Sequence, residues 1–352
     1  MHFIHELATP RVVFGRGSLA RVPAEVERLG GRRVLLIGNP GRVGMQRIRS
    51  GALGSRVVGT IDQVHEHVPV GEAEEAAAAA LSLDVDLLLP VGGGSAIGTA
   101  KSAARRTHLP ILAVPTTYSG SEMTSIWGET QGDIKITGRD PVVVPLTVIY
   151  DPDLSATMPP ALAATSGMNA LAHCAEAMYD PDCSPLIRAA ALEGTLALAR
   201  GLRGLNGADS SGELLYGAWL AGVALGNASM GLHHKLCHVL GGQQRLPHAA
   251  LHSVLLPYVL AYEEPAAAET LARFAAAIGR GHAAGAVWDL GRQLGTPVSL
   301  AAIGFQSSGT QDVINAVMAA PPKGPRSPDS GALRDLLECA TRGLPPQSSN
   351  QN

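Results

Sequence analysis

The sequence predicts a two-domain protein: an α/β N-terminal domain built on a mainly parallel sheet, followed by an all-α C-terminal domain. Three observations carry that expectation. Short β-branched runs alternate with amphipathic stretches from residue 11 to about residue 115. A cluster of glycines stands where one of the apolar runs passes into a helical stretch. From Ser155 to about Ala319 the β-branched runs give way to Ala- and Leu-rich segments of helical period. A chain of 352 residues also exceeds what one typical core fills.

The predicted strands are RVVFG (11–15), RVLLIG (33–38), RVVGT (56–60), VDLLLPVG (85–92) and PILAVP (110–115). Between them lie the helix candidates VPAEVERLG (22–30), the segment 41–53, EAEEAAAAALSL (72–83) and AIGTAKSAARRT (96–107). Continuous apolar strands separated by helices imply a parallel sheet covered on both faces. The proline-bearing stretch Asp151–Pro160 marks the change of character, which gives domains of 1–154 and 155–352. A loop, PPKGPRSPDSG (321–331), precedes a last helix, and the tail GLPPQSSNQN is expected to be disordered.

A formal charge of −3 offers no electrostatic case for nucleic acid or an anionic membrane surface. The N-terminal MHFIHELATPR has charges and histidines where a signal peptide needs an apolar run, and no stretch reaches the ~20 apolar residues of a membrane span. Cys174, Cys183, Cys237 and Cys339 show no CxxC spacing and read as reduced thiols of a cytoplasmic enzyme.

Two stretches carry chemistry. In VGGGS, Gly92, Gly93, Gly94 and Ser95 run from strand into helix; the glycines serve either as a structural turn or as a cradle letting backbone N–H groups approach a phosphate. The spacing is not GxGxxG, so the usual dinucleotide fingerprint is absent. The strand RVLLIG ends near Asn39, which caps a turn or stands where an acidic residue would read a ribose. In the second half, Asn169 and His173 lie four apart in a helical run and share a face. Five of the twelve histidines (His233, His234, His238, His248 and His252) fall within twenty residues. His234, Lys235 and His238 can line one wall. His65 and His67 alternate as on one face of an edge strand and are not expected to bind metal.

The ordered segments from RVVFG through VGGGS, AVPTTYSGSEMT (113–124), TVIYDPDL (147–154), NALAH (169–173) and HHKLCHVLGG (233–242) resemble the iron-containing alcohol dehydrogenase superfamily, whose fold is dehydroquinate synthase-like. SGSEMTSIWGET (119–130), KITGRDP (135–141), LYGAWLAGVALG (215–226) and HHKLCH resemble its maleylacetate reductase branch.

The resemblance implies pyrophosphate binding at Gly92, Gly93, Gly94 and Ser95, with Thr116, Thr117 and Ser121 toward the nicotinamide half. With an amide at Asn39 instead of a carboxylate, both NADH and NADPH are expected cofactors. In metal-dependent relatives the counterparts of Asn169, His173, His234 and His248 hold the cation, and that of His238 sits beside nicotinamide and substrate. Asn169 stands where a carboxylate would be, and Lys235 offers a replacement charge. The expectation is therefore that no metal is held, with His233 and His252 structural.

The implied reaction, in aromatic-compound catabolism, is reduction of the conjugated double bond of a small dicarboxylate, maleylacetate, to 3-oxoadipate. His238 is the expected proton donor and Lys235 the partner of the enolate; Lys135, Arg139 and Arg326 are candidate carboxylate anchors. A homodimer is implied by family. The alternatives are a metal-dependent alcohol or polyol dehydrogenase of the same superfamily, a zinc hydrolase, and a nucleotide sensor without turnover.

Overall fold

The computed structural model describes residues 5, 7, 9–132, 134–205, 210–244, 246–279 and 281–346. The chain divides into two compact units, one spanning Ala8–Met158 and the other containing everything from Pro159 onward.

The first unit holds a six-stranded sheet with all neighbours parallel, in the order β1-β8-β5-β4-β2-β3. The strands are β1 (Arg11–Phe14), β2 (Val34–Ile37), β3 (Val57–Ile61), β4 (Leu87–Gly92), β5 (Leu112–Pro115) and β8 (Thr147–Tyr150). Strands β2, β4, β5 and β8 are buried at every residue, which explains why they read as unbroken apolar runs. On one face Val34, Leu36, Leu87, Leu89, Val91, Leu112 and Val114 pack with Val22 and Val26 of α1 (Val22–Arg28) and Met45 of α2 (Val43–Arg47). Helices α3 (Val70–Ser82) and α4 (Gly94–Thr107) complete the alternation. At the β2 end, Gly38 has φ +151, and a Cβ there would stand 2.3 Å from the Val91 carbonyl oxygen. Only glycine permits that approach.

Two features were not anticipated from the sequence. TVIY forms β8, inserted between β1 and β5. Residues after β5 form an antiparallel hairpin, β6 (Ile126–Gln131) and β7 (Ile134–Arg139). One expectation is corrected: His65 and His67 lie in the turn after β3, not on a strand, and His67 adopts φ 67. His65 Nδ1 pairs with Glu72.

The second unit is entirely helical among its described residues. A short helix, α5 (Pro152–Ser155), closes the first unit, and α6 (Pro160–Tyr179), α7 (Pro185–Arg203), α8 (Ser210–Asn227), α9 (Leu232–Gln243), α10 (His248–Ile278), α11 (Ala283–Gln293), α12 (Thr310–Ala319) and α13 (Ser330–Arg342) follow. Helices α7 and α8 meet through Gly194 and Gly217; a Cβ at Gly217 would be 2.9 Å from the Leu198 backbone nitrogen. Leu236 and Leu240 of α9, Leu251, Leu255 and Val259 of α10, Val313 and Val317 of α12 and Leu333 and Leu337 of α13 make one core cluster. That cluster fixes α9 against the start of α10, where the histidines stand. The tail from residue 347 lies outside the described residues.

Candidate functional site

In the helical unit, α6, α9 and α10 each present histidines to a common interior. His173 of α6 stacks on His234 of α9 with ring centroids 5.0 Å apart. His252, one turn into α10, lies 4.9 Å from both His233 and His234 and 4.5 Å from His248, with 6.4 Å to His173. The Nε2 atoms of His248 and His252 are 3.2 Å apart. His238 flanks the group at 6.4 Å from His234 and from His248; it is exposed, whereas His173, His233, His234 and His252 are buried. Lys235 is half-buried on the same helix. Thus His173, His234, His238 and His248 come together as the sequence suggests. His252, expected to be structural, stands at the centre, because α10 begins at His248 and its first turn carries His252 inward.

The sequence reading missed Glu176. It lies three residues beyond His173 on α6, fully buried, and its Oε2 pairs with His234 Nδ1. Its Oε1 accepts the backbone N–H of Gly231 at 3.1 Å and of His233 at 2.9 Å, and the Tyr179 hydroxyl at 3.4 Å. Burial pushes the Glu176 carboxyl up, while the neighbouring His233 and these backbone donors pull it back toward the anion. With so many donors converging, the carboxylate is the form that fits. It then accepts a hydrogen bond from the Nδ1–H of neutral His234, leaving Nε2 as a lone-pair donor.

Burial likewise lowers His234 to about 3 and His233 to about 4, and holds His173 and His252 well below the usual imidazole value. Neutral imidazole is the ligating form. Asn169 Oδ1, His173 Nδ1, His233 Nδ1, His234 Nε2 and His252 Nδ1 are all buried with no hydrogen-bond partner among the described residues. Unpaired buried donors and acceptors are costly, and this many at one place fits a bound cation.

The expectation that no metal is held is therefore corrected. Two groups, Glu176–His233–His234 and His233–Cys237–His252, bring ligand atoms within 4.8 Å of one another. The amide at Asn169 suggests a site that has lost its anion, but Glu176, two turns further along the same helix, supplies a carboxylate. A signal for it exists in the sequence: Glu176 is the charged residue in an α6 sequence otherwise free of charge.

In the α/β unit, Gly92 ends β4, Gly93 precedes α4, and Gly94 and Ser95 form its first turn. The N–H groups of that turn have no partner within the helix, as at any helix start. Thr116 follows β5 and its N–H donates to the Gly92 carbonyl at 2.9 Å. A Cβ at Gly93 would lie 2.9 Å from Thr117 Cγ2, so the turn and Thr117 are in close register. Ser121 opens the next short turn. Asn39 is exposed after β2, and its Oδ1 accepts the Val64 N–H at 3.4 Å. These residues gather at the carboxyl ends of β2, β4 and β5, where parallel sheets bind ligands.

Of the anchor candidates, Lys135 and Arg139 are exposed on β7. Arg326 is engaged locally: its guanidinium lies 4.1 Å over the Tyr262 ring and donates to the Tyr262 carbonyl at 2.9 Å. All four cysteines are free, and no helix among the described residues is long and apolar enough to cross a membrane.

A glycine turn at the carboxyl edge of a parallel sheet and a cage of neutral histidines on a helical unit together define a class. Family models described as iron-containing alcohol dehydrogenase and as the C-terminal part of the Fe-containing alcohol dehydrogenase family match residues 9–152 and 163–341. The chain belongs to the iron-containing alcohol dehydrogenase family. It is 44% identical to a maleylacetate reductase of Burkholderia cepacia over 98% of this chain and 99% of that protein. The crystal structure of maleylacetate reductase from Agrobacterium tumefaciens superposes with a TM-score of 0.93 at 39% identity, covering 98% of this chain and 100% of that one. An iron-containing alcohol dehydrogenase from Corynebacterium glutamicum gives a TM-score of 0.92 at 40% identity, with 98% of each chain covered.

Proposed function

We propose that the chain reduces maleylacetate to 3-oxoadipate with NADH or NADPH. The observation that carries this reading is the end-to-end similarity to maleylacetate reductases, and the histidine cluster supplies chemistry suited to it.

Maleylacetate is a dicarboxylate in which a ketone is conjugated to a carbon–carbon double bond. Gly92, Gly93, Gly94, Ser95, Thr116, Thr117 and Ser121 would hold the cofactor, which when bound would supply a hydride. Hydride addition to the alkene carbon remote from the ketone moves negative charge to the ketone oxygen, and a proton must then reach the carbon next to the ketone. His238 is the proposed donor of that proton; its exposure lets it recover one from solvent after each cycle. The Lys235 ammonium opposes the enolate charge. Donors that would hold a divalent cation come from the two convergent groups together with His173 and His248, with Glu176 orienting His234. Such a cation, when bound, supplies Lewis-acid stabilisation to an oxygen gaining negative charge. Exposed Asn39 places no carboxylate against a 2′-phosphate, which supports use of both cofactors. A homodimer is part of the proposal and is checked by light scattering of the purified protein.

The metal-capable cluster favours one second reading, a metal-dependent alcohol or polyol dehydrogenase. Following NADH absorbance separates the two. The proposal expects rapid NADH loss with maleylacetate and negligible NAD reduction with simple alcohols and diols; the reverse pattern would establish the second reading.

A further inference from the structure

Lys101 lies on α4, seven residues beyond Gly94, and is fully buried. Its Nζ donates to the carbonyls of Ser121 at 2.6 Å, Thr124 at 2.7 Å and Ile126 at 2.8 Å, and lies 3.1 Å from Thr124 Oγ1. Four oxygens around one nitrogen form a cage of the kind that holds a small cation. An ammonium brings three N–H donors to it, whereas a neutral amine would turn its lone pair toward an oxygen. Burial draws Lys101 down to about 7, and buried Glu122 opposes that shift; the oxygen cage matches the charged form.

The segment held in this way begins at the glycine turn. Thr117 lies against Gly93, and a Cβ at Gly94 would be 3.6 Å from Ser119 Cβ. At Ile126 the chain enters β6, where Glu129 pairs with Arg106 and the Arg105 guanidinium lies 3.7 Å over Trp127. The stretch from Thr117 to Ile126 is thus fastened to α4 at both ends, and Lys101 supplies the buried fastening.

We propose that Lys101 is a positioning residue whose ammonium acts as a built-in monovalent cation, holding Ser121–Ile126 on α4 and thereby setting the affinity of the glycine turn for NADH. This rests on the reading of Thr116, Thr117 and Ser121 as cofactor contacts. Lys101 itself has no need to touch the cofactor. Its contribution is preorganisation, which lowers the ordering cost of binding.

The test is fluorescence titration of NADH, with steady-state kinetics on maleylacetate, for the wild type and for Lys101→Met, Lys101→Ala and Thr124→Val. Loss of hydrogen bonds to a charged group predicts that both Lys101 variants weaken NADH binding by about tenfold or more and raise its KM in parallel, with kcat at saturating NADH changed by less than about threefold. n-Propylammonium replaces the carbons and charge removed in Lys101→Ala and should restore most of the affinity, whereas n-propanol should not. Thr124→Val removes one oxygen of the cage while keeping its shape, and should weaken NADH by about two- to fivefold.

Wild-type affinity in Lys101→Met, or equal rescue by propanol, would overturn the proposal and leave the cofactor reading standing. Should neither Lys101 variant fold, unchanged NADH affinity in Thr124→Val overturns it and the stated loss supports it. A wild-type protein that does not bind NADH would sink the cofactor reading and this inference with it.

Discussion

Glu176 is the buried anion of the histidine cluster, and its Oε1 also gathers the backbone N–H groups of Gly231 and His233. An amide at Asn169 suggested a site stripped of its anion, yet a buried carboxylate sits behind His234 and fixes which nitrogen that ring offers. A sequence places Asn169 and His173 on one helix face by spacing alone, but it cannot show that residue 176 meets residue 234, a contact made only when α6 packs on α9. Glu176→Gln keeps the shape and removes the charge. Partners behind a ligating histidine typically contribute tenfold to a hundredfold in metal affinity, so titration of the purified variant with zinc should show a loss of about that size. An affinity equal to the wild type would confine Glu176 to a packing role. His238 is legible as part of the cluster, and its exposure separates it from the buried rings. His238→Ala should lower turnover by roughly 10²–10⁴ with NADH binding nearly intact, which stopped-flow and fluorescence titration together would read. Loss of NADH affinity instead would assign it to the cofactor.

The elements differ in how openly the sequence displays them. Strands β2, β4 and β5 are buried on both faces, so their apolar runs are unmistakable, and the glycine turn leading into α4 follows from its composition. The hairpin β6–β7 gives no such signal. Residues of β7 are mostly exposed, which removes the apolar alternation that marks a half-buried strand. Its attachment to α4 comes instead from Glu129 paired with Arg105 and Arg106.

Those pairs have a consequence for acid stability. The hydrogen bonds from Arg106 hold the Glu129 carboxyl below its usual value. A carboxyl lowered in the folded state contributes stability that is present above its unfolded pKa and is lost as pH falls through the depressed folded value. Thermal melts of Glu129→Gln should therefore lie below the wild type near neutral pH and converge with it as the pH falls below the usual carboxylate range. A constant gap across that range would contradict the assignment. On α4 itself, Gly93→Ala would set a Cβ against Thr117, and NADH affinity should fall by about tenfold or more while the fold survives. An alanine variant that binds NADH as the wild type does would remove the glycine turn from the cofactor site.

For the whole molecule, the division into an α/β unit and a helical unit is legible because strand-like runs alternate with helical stretches up to about residue 155 and give way after it to helical segments alone. The reaction was not legible from composition or spacing. It rests on resemblance along the full chain, and the cluster of histidines suits both an enone reductase and an alcohol dehydrogenase. The two chemistries differ in the atom that receives the hydride. Reaction of maleylacetate with NADH carrying deuterium at the transferred position therefore separates them, with the product analysed by NMR. The expected product is 3-oxoadipate bearing one deuterium on the methylene next to the carboxylate remote from the ketone. Deuterium on a carbinol carbon, with the double bond intact, would contradict the proposed reduction.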